Sequence, residues 1–179
     1  MATPPVCDFG WQAPDFSLPD TDGSAGSLET WGDGAATLVM FICNHCPYVL
    51  RALNEIRRTA DDLAPLGVGV IAICSNDAAA YPDDSPENMK LFHRKHDLPF
   101  PYLHDADQAV ARAWGAVCTP DFFGLDARHR LQYRGRLMAP DGRRELFEAM
   151  KQIAETGQGP RDQVASMGCS IKWKDSNWA

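Results

Sequence analysis

Thr37-Leu38-Val39-Met40-Phe41-Ile42-Cys43-Asn44-His45-Cys46-Pro47 reads as a buried strand, a tight turn and the start of a helix, with two thiols at the junction. A continuous apolar strand is expected where both faces of a sheet are covered. Proline suits the first helical position, where its missing N–H costs nothing. Aligned peptide dipoles place about half a positive charge at a helix N-terminus. A thiolate there is stabilised, and the thiolate is the nucleophilic form. A second cysteine three residues on can attack the first sulfur and close a short disulfide. The pattern therefore predicts reversible dithiol–disulfide chemistry, with Cys43 as nucleophile, partly exposed at the turn, and Cys46 as the resolving thiol.

Working outward, Leu50, Leu53, Ile56, Ala60 and Leu63 recur at helical spacing and stop near Pro65-Leu66-Gly67. Residues 68–74 form a second buried strand, which completes a βαβ unit with an expected right-handed crossover. Before this unit, Pro4, Pro5 and Pro14 argue against helix over residues 1–14. Residues 15–18 suit a short strand, 20–24 a turn, and Ser27-Leu28 the return, an N-terminal β-hairpin extension. After it, residues 75–85 read as a polar loop, 86–96 as a helix and 98–103 as a brief edge strand. Residues 108–114 form a short helix, 121–125 and 130–134 a hairpin, and 145–155 the last helix. No internal repeat or low-complexity tract interrupts this order. It predicts a single α/β domain over residues 1–179, a central mixed sheet flanked by helices, with residues 160–179 as a C-terminal tail.

Composition agrees with such a domain. A chain of 179 residues buries on the order of 70% of its unfolded surface. The net charge of -7 argues against nucleic acid, which asks for a basic face. No apolar run approaches the roughly 20 residues of a membrane span. Residues 1–8 lack the basic and apolar regions of a secretory signal, so a cytoplasmic location is expected. Thiols stay reduced there, which favours catalytic over structural use of a cysteine pair.

Cys-x-x-Cys at a strand-to-helix turn inside a βαβ unit resembles the active site of the thioredoxin-like superfamily. Ala13-Pro14-Asp15-Phe16 is similar to the opening of the redoxin branch, the alkyl hydroperoxide reductase and thiol-specific antioxidant relatives. Cys43-Asn44-His45-Cys46-Pro47-Tyr48-Val49, Cys118-Thr119-Pro120-Asp121-Phe122 and Ser166-Met167-Gly168-Cys169-Ser170-Ile171-Lys172-Trp173 together resemble a peroxiredoxin-like subgroup of that branch. The resemblance covers nearly the whole chain. It implies a thioredoxin-like fold and a cis Thr119–Pro120 bond facing the cysteines, with Thr119 and Pro120 offering a backbone edge to an extended substrate. Two familiar helpers are missing. Where a peroxiredoxin carries a hydroxyl three residues before its reactive cysteine, this chain has Met40; where thioredoxin carries a buried carboxylate, it has Thr37. Arg112, Arg134 and Arg136 are candidates for a peroxiredoxin-type distal arginine.

The remaining residues refine the site. His45 stands where the strongly oxidising periplasmic member of the fold also has histidine. A cationic imidazole near Cys43 would favour its thiolate, lowering its pKa below about 8.5 and raising the potential above thioredoxin's roughly −270 mV. Cys169 and Cys118 are candidate third redox thiols; Cys74 reads as core, and Cys7 has no motif. The expected activity is thiol-disulfide exchange through Cys43 and Cys46 on protein or small-molecule thiols and disulfides, with no cofactor, no metal and an electron donor the sequence does not name. A thiol peroxidase using Cys43 is the alternative. A soft-metal module built on Cys43, His45, Cys46 and Cys169, with His93, His96 or His104 as distal ligand, is a second.

Overall fold

The computed structural model describes residues 1–5 and 7–177. Val6 and the last two residues of the expected tail, Trp178 and Ala179, lie outside the described residues. In chain order the elements are β1 (Ser17–Pro19), β2 (Ala25–Ser27), α1 (Leu28–Trp31), β3 (Ala36–Phe41), α2 (Pro47–Leu63), β4 (Val68–Cys74), α3 (Pro86–Lys95), β5 (Tyr102–His104), α4 (Ala109–Trp114), β6 (Cys118–Thr119), β7 (Asp121–Asp126), β8 (Leu131–Tyr133), α5 (Glu145–Thr156) and β9 (Cys169–Ser170).

Five strands form the central sheet in the order β5-β4-β3-β7-β8. β3, β4 and β5 run parallel, whereas β7 and β8 run antiparallel, so the sheet is mixed as expected. All six residues of β3 are buried, because the sheet is covered on both faces. Alternation sorts them: Leu38 and Met40 join one core cluster with Leu53, Ile56 and Ile153, while Val39 and Phe41 join the other with Ile71, Phe123 and Trp114. Gly124 lets α5 approach β7, since a Cβ there would lie 2.6 Å from the Met150 sulfur. β1 and β2 pair antiparallel as the N-terminal hairpin.

Four local readings change. Leu50 is exposed, and Val49 takes its place on the buried face of α2, because the helix starts at Pro47 and that start sets its phase. The edge strand begins only at Tyr102, since Pro99 and Pro101 supply no N–H to a ladder. The 75–85 loop contains a 3-10 turn, Pro82–Asp84, that buries Asp84. The tail adds a strand: β9 pairs antiparallel with β6, Thr119 opposite Cys169 and Cys118 opposite Ser170.

Register places the site. Phe41 at the end of β3 pairs with Ile73 near the end of β4 and with Asp121 at the start of β7. The Cys43–Cys46 turn, the loop after Cys74 and the Thr119–Pro120 bond are therefore carried to one edge of the sheet. Among the described residues, no helix is long and apolar enough to cross a membrane.

Candidate active site

The six cysteines are free thiols. Cys46 is the N-cap of α2, in extended conformation with Pro47 following. Its Sγ donates to the carbonyl oxygen of Thr119 at 3.1 Å, and Cys43 Sγ lies 3.4 Å from the Thr119 hydroxyl. The Thr119–Pro120 bond is cis. Cys43, Cys46, Thr119 and Pro120 thus meet at one point. Contrary to the exposed thiol expected from the turn, Cys43 is only 1% exposed and Cys46 is 0% exposed.

Interaction between the two thiols splits their acidities. It pushes Cys43 up, with burial and the Asp84 charge adding to the effect. It pulls Cys46 down, helped by the Thr119 side chain and by the N–H groups of Val49 and Cys169, and opposed by burial. The Thr119 carbonyl also opposes a Cys46 thiolate, because it accepts that thiol's proton. The balance still lies with Cys46, since two N–H dipoles face it while a carboxylate faces Cys43. The lowering falls on the second cysteine, not the first, through the interaction of the two thiols and the burial of Cys43, and an acid that no local pattern announced adds to it.

That acid is Asp84. It is fully buried and accepts the Asn44 N–H at 2.7 Å and the Asn76 side-chain amide at 2.8 Å. Asn44 is held further by donating to the Asp83 carbonyl and accepting from the Tyr102 hydroxyl. His45 Nδ1 lies 2.8 Å from Asp84 Oδ2, an ion-pair distance, but its direction makes no hydrogen bond. The imidazole stacks on Tyr81 at 5.5 Å and 7°. His45 therefore stands beside Asp84 and close to the Cys43 thiol. Asp84 also changes the donor set for a metal: the ligand atoms of Cys43, His45 and Asp84 lie within 4.8 Å of one another. His93 Nε2 is 2.9 Å from the Phe100 carbonyl oxygen, a contact that already occupies that ring nitrogen.

The other candidates separate clearly. Cys118 is buried beneath the site, 3.5 Å from the Pro120 carbonyl oxygen, and burial pushes its thiol up to about 12. Cys74 is likewise pushed up to about 12 by burial. Cys7 rises to about 11, also through burial. Cys169 is partly exposed and packs against the core cluster that contains Cys43 and Cys46. Arg134 is committed to Asp121 at 3.0 Å and to the Gly115 carbonyl, and Arg136 to Glu145 at 2.7 Å. Beside the cis bond runs a groove of about 320 Å³, lined by Tyr48, Arg51, Pro120, Phe122, Met138 and Met167 among others. A larger cavity of about 680 Å³ follows α5 and is lined by no cysteine.

A mixed sheet, a dithiol at a helix start and a cis-proline facing it define a thioredoxin-like thiol redox protein. Comparison with known proteins narrows this class. The model of the AhpC/TSA family matches residues 9–134, and the chain belongs to that family. Peroxiredoxin Bcp of Escherichia coli K12 is 32% identical over 143 residues, 78% of this chain and 84% of that protein. The crystal structure of an uncharacterized conserved protein from Geobacillus kaustophilus superposes with a TM-score of 0.91 at 43% identity, covering 97% of this chain and 96% of that one. A hypothetical protein of Sinorhizobium meliloti 1021 superposes at 0.92 and 36% identity, over 98% and 100% of the two chains.

Proposed function

We propose that this protein is a thiol-disulfide oxidoreductase in which Cys43 and Cys46 alternate between dithiol and disulfide. One observation carries the reading: both thiols are free and both are held on Thr119, one by its hydroxyl and one by its carbonyl, next to the cis bond. A thiolate on one sulfur can attack a disulfide, and the neighbouring sulfur then displaces the mixed product. The groove along Pro120 is where an extended thiol or disulfide partner would lie, its apolar floor flanked by Arg51 and Arg136. No cofactor enters this cycle. The test is reduction of a disulfide substrate by the pre-reduced protein, compared with Cys43→Ser and Cys46→Ser. Single-cysteine variants that turn over as fast as wild type would end the reading.

Membership of the AhpC/TSA family favours a second reading, a thiol peroxidase in which Cys43 is oxidised to sulfenic acid. Met40 offers no hydroxyl to the peroxide, and Arg134 and Arg136 are already paired with carboxylates. Hydrogen peroxide consumption that depends on Cys43, with no reduction of disulfides, would select this alternative.

A further inference from the structure

The oxidoreductase cycle leaves one question open: both of its cysteines are buried, so neither sulfur is open at the surface where an outside disulfide arrives. A third thiol stands at the surface beside them. β9 lays Cys169 directly opposite Thr119, the residue whose carbonyl holds Cys46 Sγ. Partial burial, and then the interaction of its side chain with the Cys46 thiol, push the Cys169 thiol up while the Lys172 charge pulls it down, and the Cys169 N–H faces that same Cys46 sulfur. The strand is fixed rather than merely adjacent. Ala2 and Gly168 exchange two main-chain hydrogen bonds, at 3.0 and 3.2 Å. On the far side, Ile171 N donates to the Val117 carbonyl, Ile171 is buried, and Lys172 N donates to Asn76 Oδ1. Gly168 allows this approach, since a Cβ there would lie 2.1 Å from the Thr119 oxygen. The three thiols thus adjoin in the order Cys169, Cys46, Cys43, and of the three only Cys169 is partly exposed.

We infer that Cys169 is the entry thiol of a three-cysteine relay and meets the outside disulfide before Cys46 or Cys43 does. The inference rests on the dithiol reading given above. The Cys169 sulfur attacks an outside disulfide RS–SR′, releasing R′S⁻ and forming a Cys169–SR mixed disulfide. Cys46 then attacks the Cys169 sulfur, RS⁻ departs and a Cys46–Cys169 disulfide forms. Cys43 attacks the Cys46 sulfur, closes the Cys43–Cys46 disulfide and returns Cys169 as a thiol. Two electrons pass from Cys43 and Cys46 to the outside disulfide, and their two protons leave with RS and R′S.

The test mixes the pre-reduced full chain with glutathione disulfide, quenches with acid at intervals and maps the bonds by peptide mass spectrometry. Wild type, Cys43→Ser, Cys46→Ser, Cys169→Ser and Cys169→Ala are compared. The relay predicts a Cys46–Cys169 disulfide in Cys43→Ser and glutathione held on Cys169 in Cys46→Ser. It also predicts that Cys43–Cys46 closure slows at least tenfold in both Cys169 variants. The Cys46→Ser arm identifies the entry thiol without altering the tail, so the result does not depend on how the Cys169 variants fold. Glutathione on Cys43 in Cys46→Ser, with closure at the wild-type rate in the Cys169 variants, would overturn the relay and leave the dithiol cycle standing. Absence of any Cys43–Cys46 bond in wild type would remove the dithiol cycle itself.

Discussion

Cys46 Sγ donates to the main-chain oxygen of Thr119 at 3.1 Å, while the hydroxyl of the same threonine stands 3.4 Å from Cys43 Sγ. One residue from a distant strand therefore addresses both thiols. Its carbonyl favours a protonated Cys46, and its hydroxyl favours a charged sulfur on either side.

Thr119→Val removes the hydroxyl and keeps the carbonyl. A single hydrogen bond to sulfur of about 0.5–1.5 kcal/mol translates into roughly three- to tenfold less thiolate. Alkylation of the Cys43–Cys46 pair by iodoacetamide at neutral pH should slow by that factor. An unchanged rate would show that the hydroxyl does not act on the thiols.

Asp84→Asn tests the buried charge. The Asp84 carboxylate raises the Cys43 thiol, so its neutral replacement should lower it, read in a Cys46→Ser background as thiolate absorbance appearing at lower pH. Asparagine has one acceptor oxygen where aspartate has two, and Asp84 accepts from both Asn44 and Asn76. Leaving one buried donor unpaired should cost about 1–3 kcal/mol, measured by urea unfolding. Higher Cys43 acidity and lower stability should appear together.

Stability of the reduced protein should depend on pH through the same pair. Cys46 is lowered in the fold, so its contribution is full above the ordinary thiol value of about 8.5 and declines as pH falls toward its folded value. Cys43 is raised, so above about 8.5 the unfolded chain loses a proton that the fold retains, and stability declines again. Urea titrations of the reduced chain should give a maximum near that pH, and Cys46→Ser should abolish the rising limb. A rising limb that persists in Cys46→Ser would place the lowered thiol elsewhere.

Gly168→Ala should loosen the tail. The new Cβ would meet the Thr119 oxygen at 2.1 Å, a backbone atom that cannot swing away. Overpacking of this kind costs about 1–3 kcal/mol. Thermal unfolding should register the loss, and hydrogen exchange should quicken at the Ile171 and Lys172 amides, which bond Val117 and Asn76. Unaltered exchange there would mean that the tail adapts around the methyl group.

The strand-turn-helix at 37–63, the second strand at 68–74 and the hairpin from 121 were legible because each is a local pattern: an apolar run, a helical period, a turn between strands. The Thr119–Pro120 bond was legible through family resemblance. Leu50 misled because the phase of a helical stripe depends on where the first turn begins, and Val49 satisfies the same spacing one residue earlier. Asp84 was hidden. It lies among Pro82, Asp83 and Ser85 in a stretch with the composition of any polar loop, and only the matched ends of β3 and β4 bring that loop onto the Cys43 turn. The closest available signal was the placement of Asn76 and Asp84 in the loop that follows a buried parallel strand.

By itself, the sequence determined that two thiols stand at the start of a helix, on a strand covered on both faces, because burial pattern and helix initiation are short-range properties of the chain. The tertiary structure decided how those thiols are used. It buried both of them, set Asp84 beside Cys43 and laid Cys169 beside Cys46. The acidity of a thiol depends on charges and dipoles within a few ångströms, and here those come from residues 41, 73 and 123 positions away in the chain.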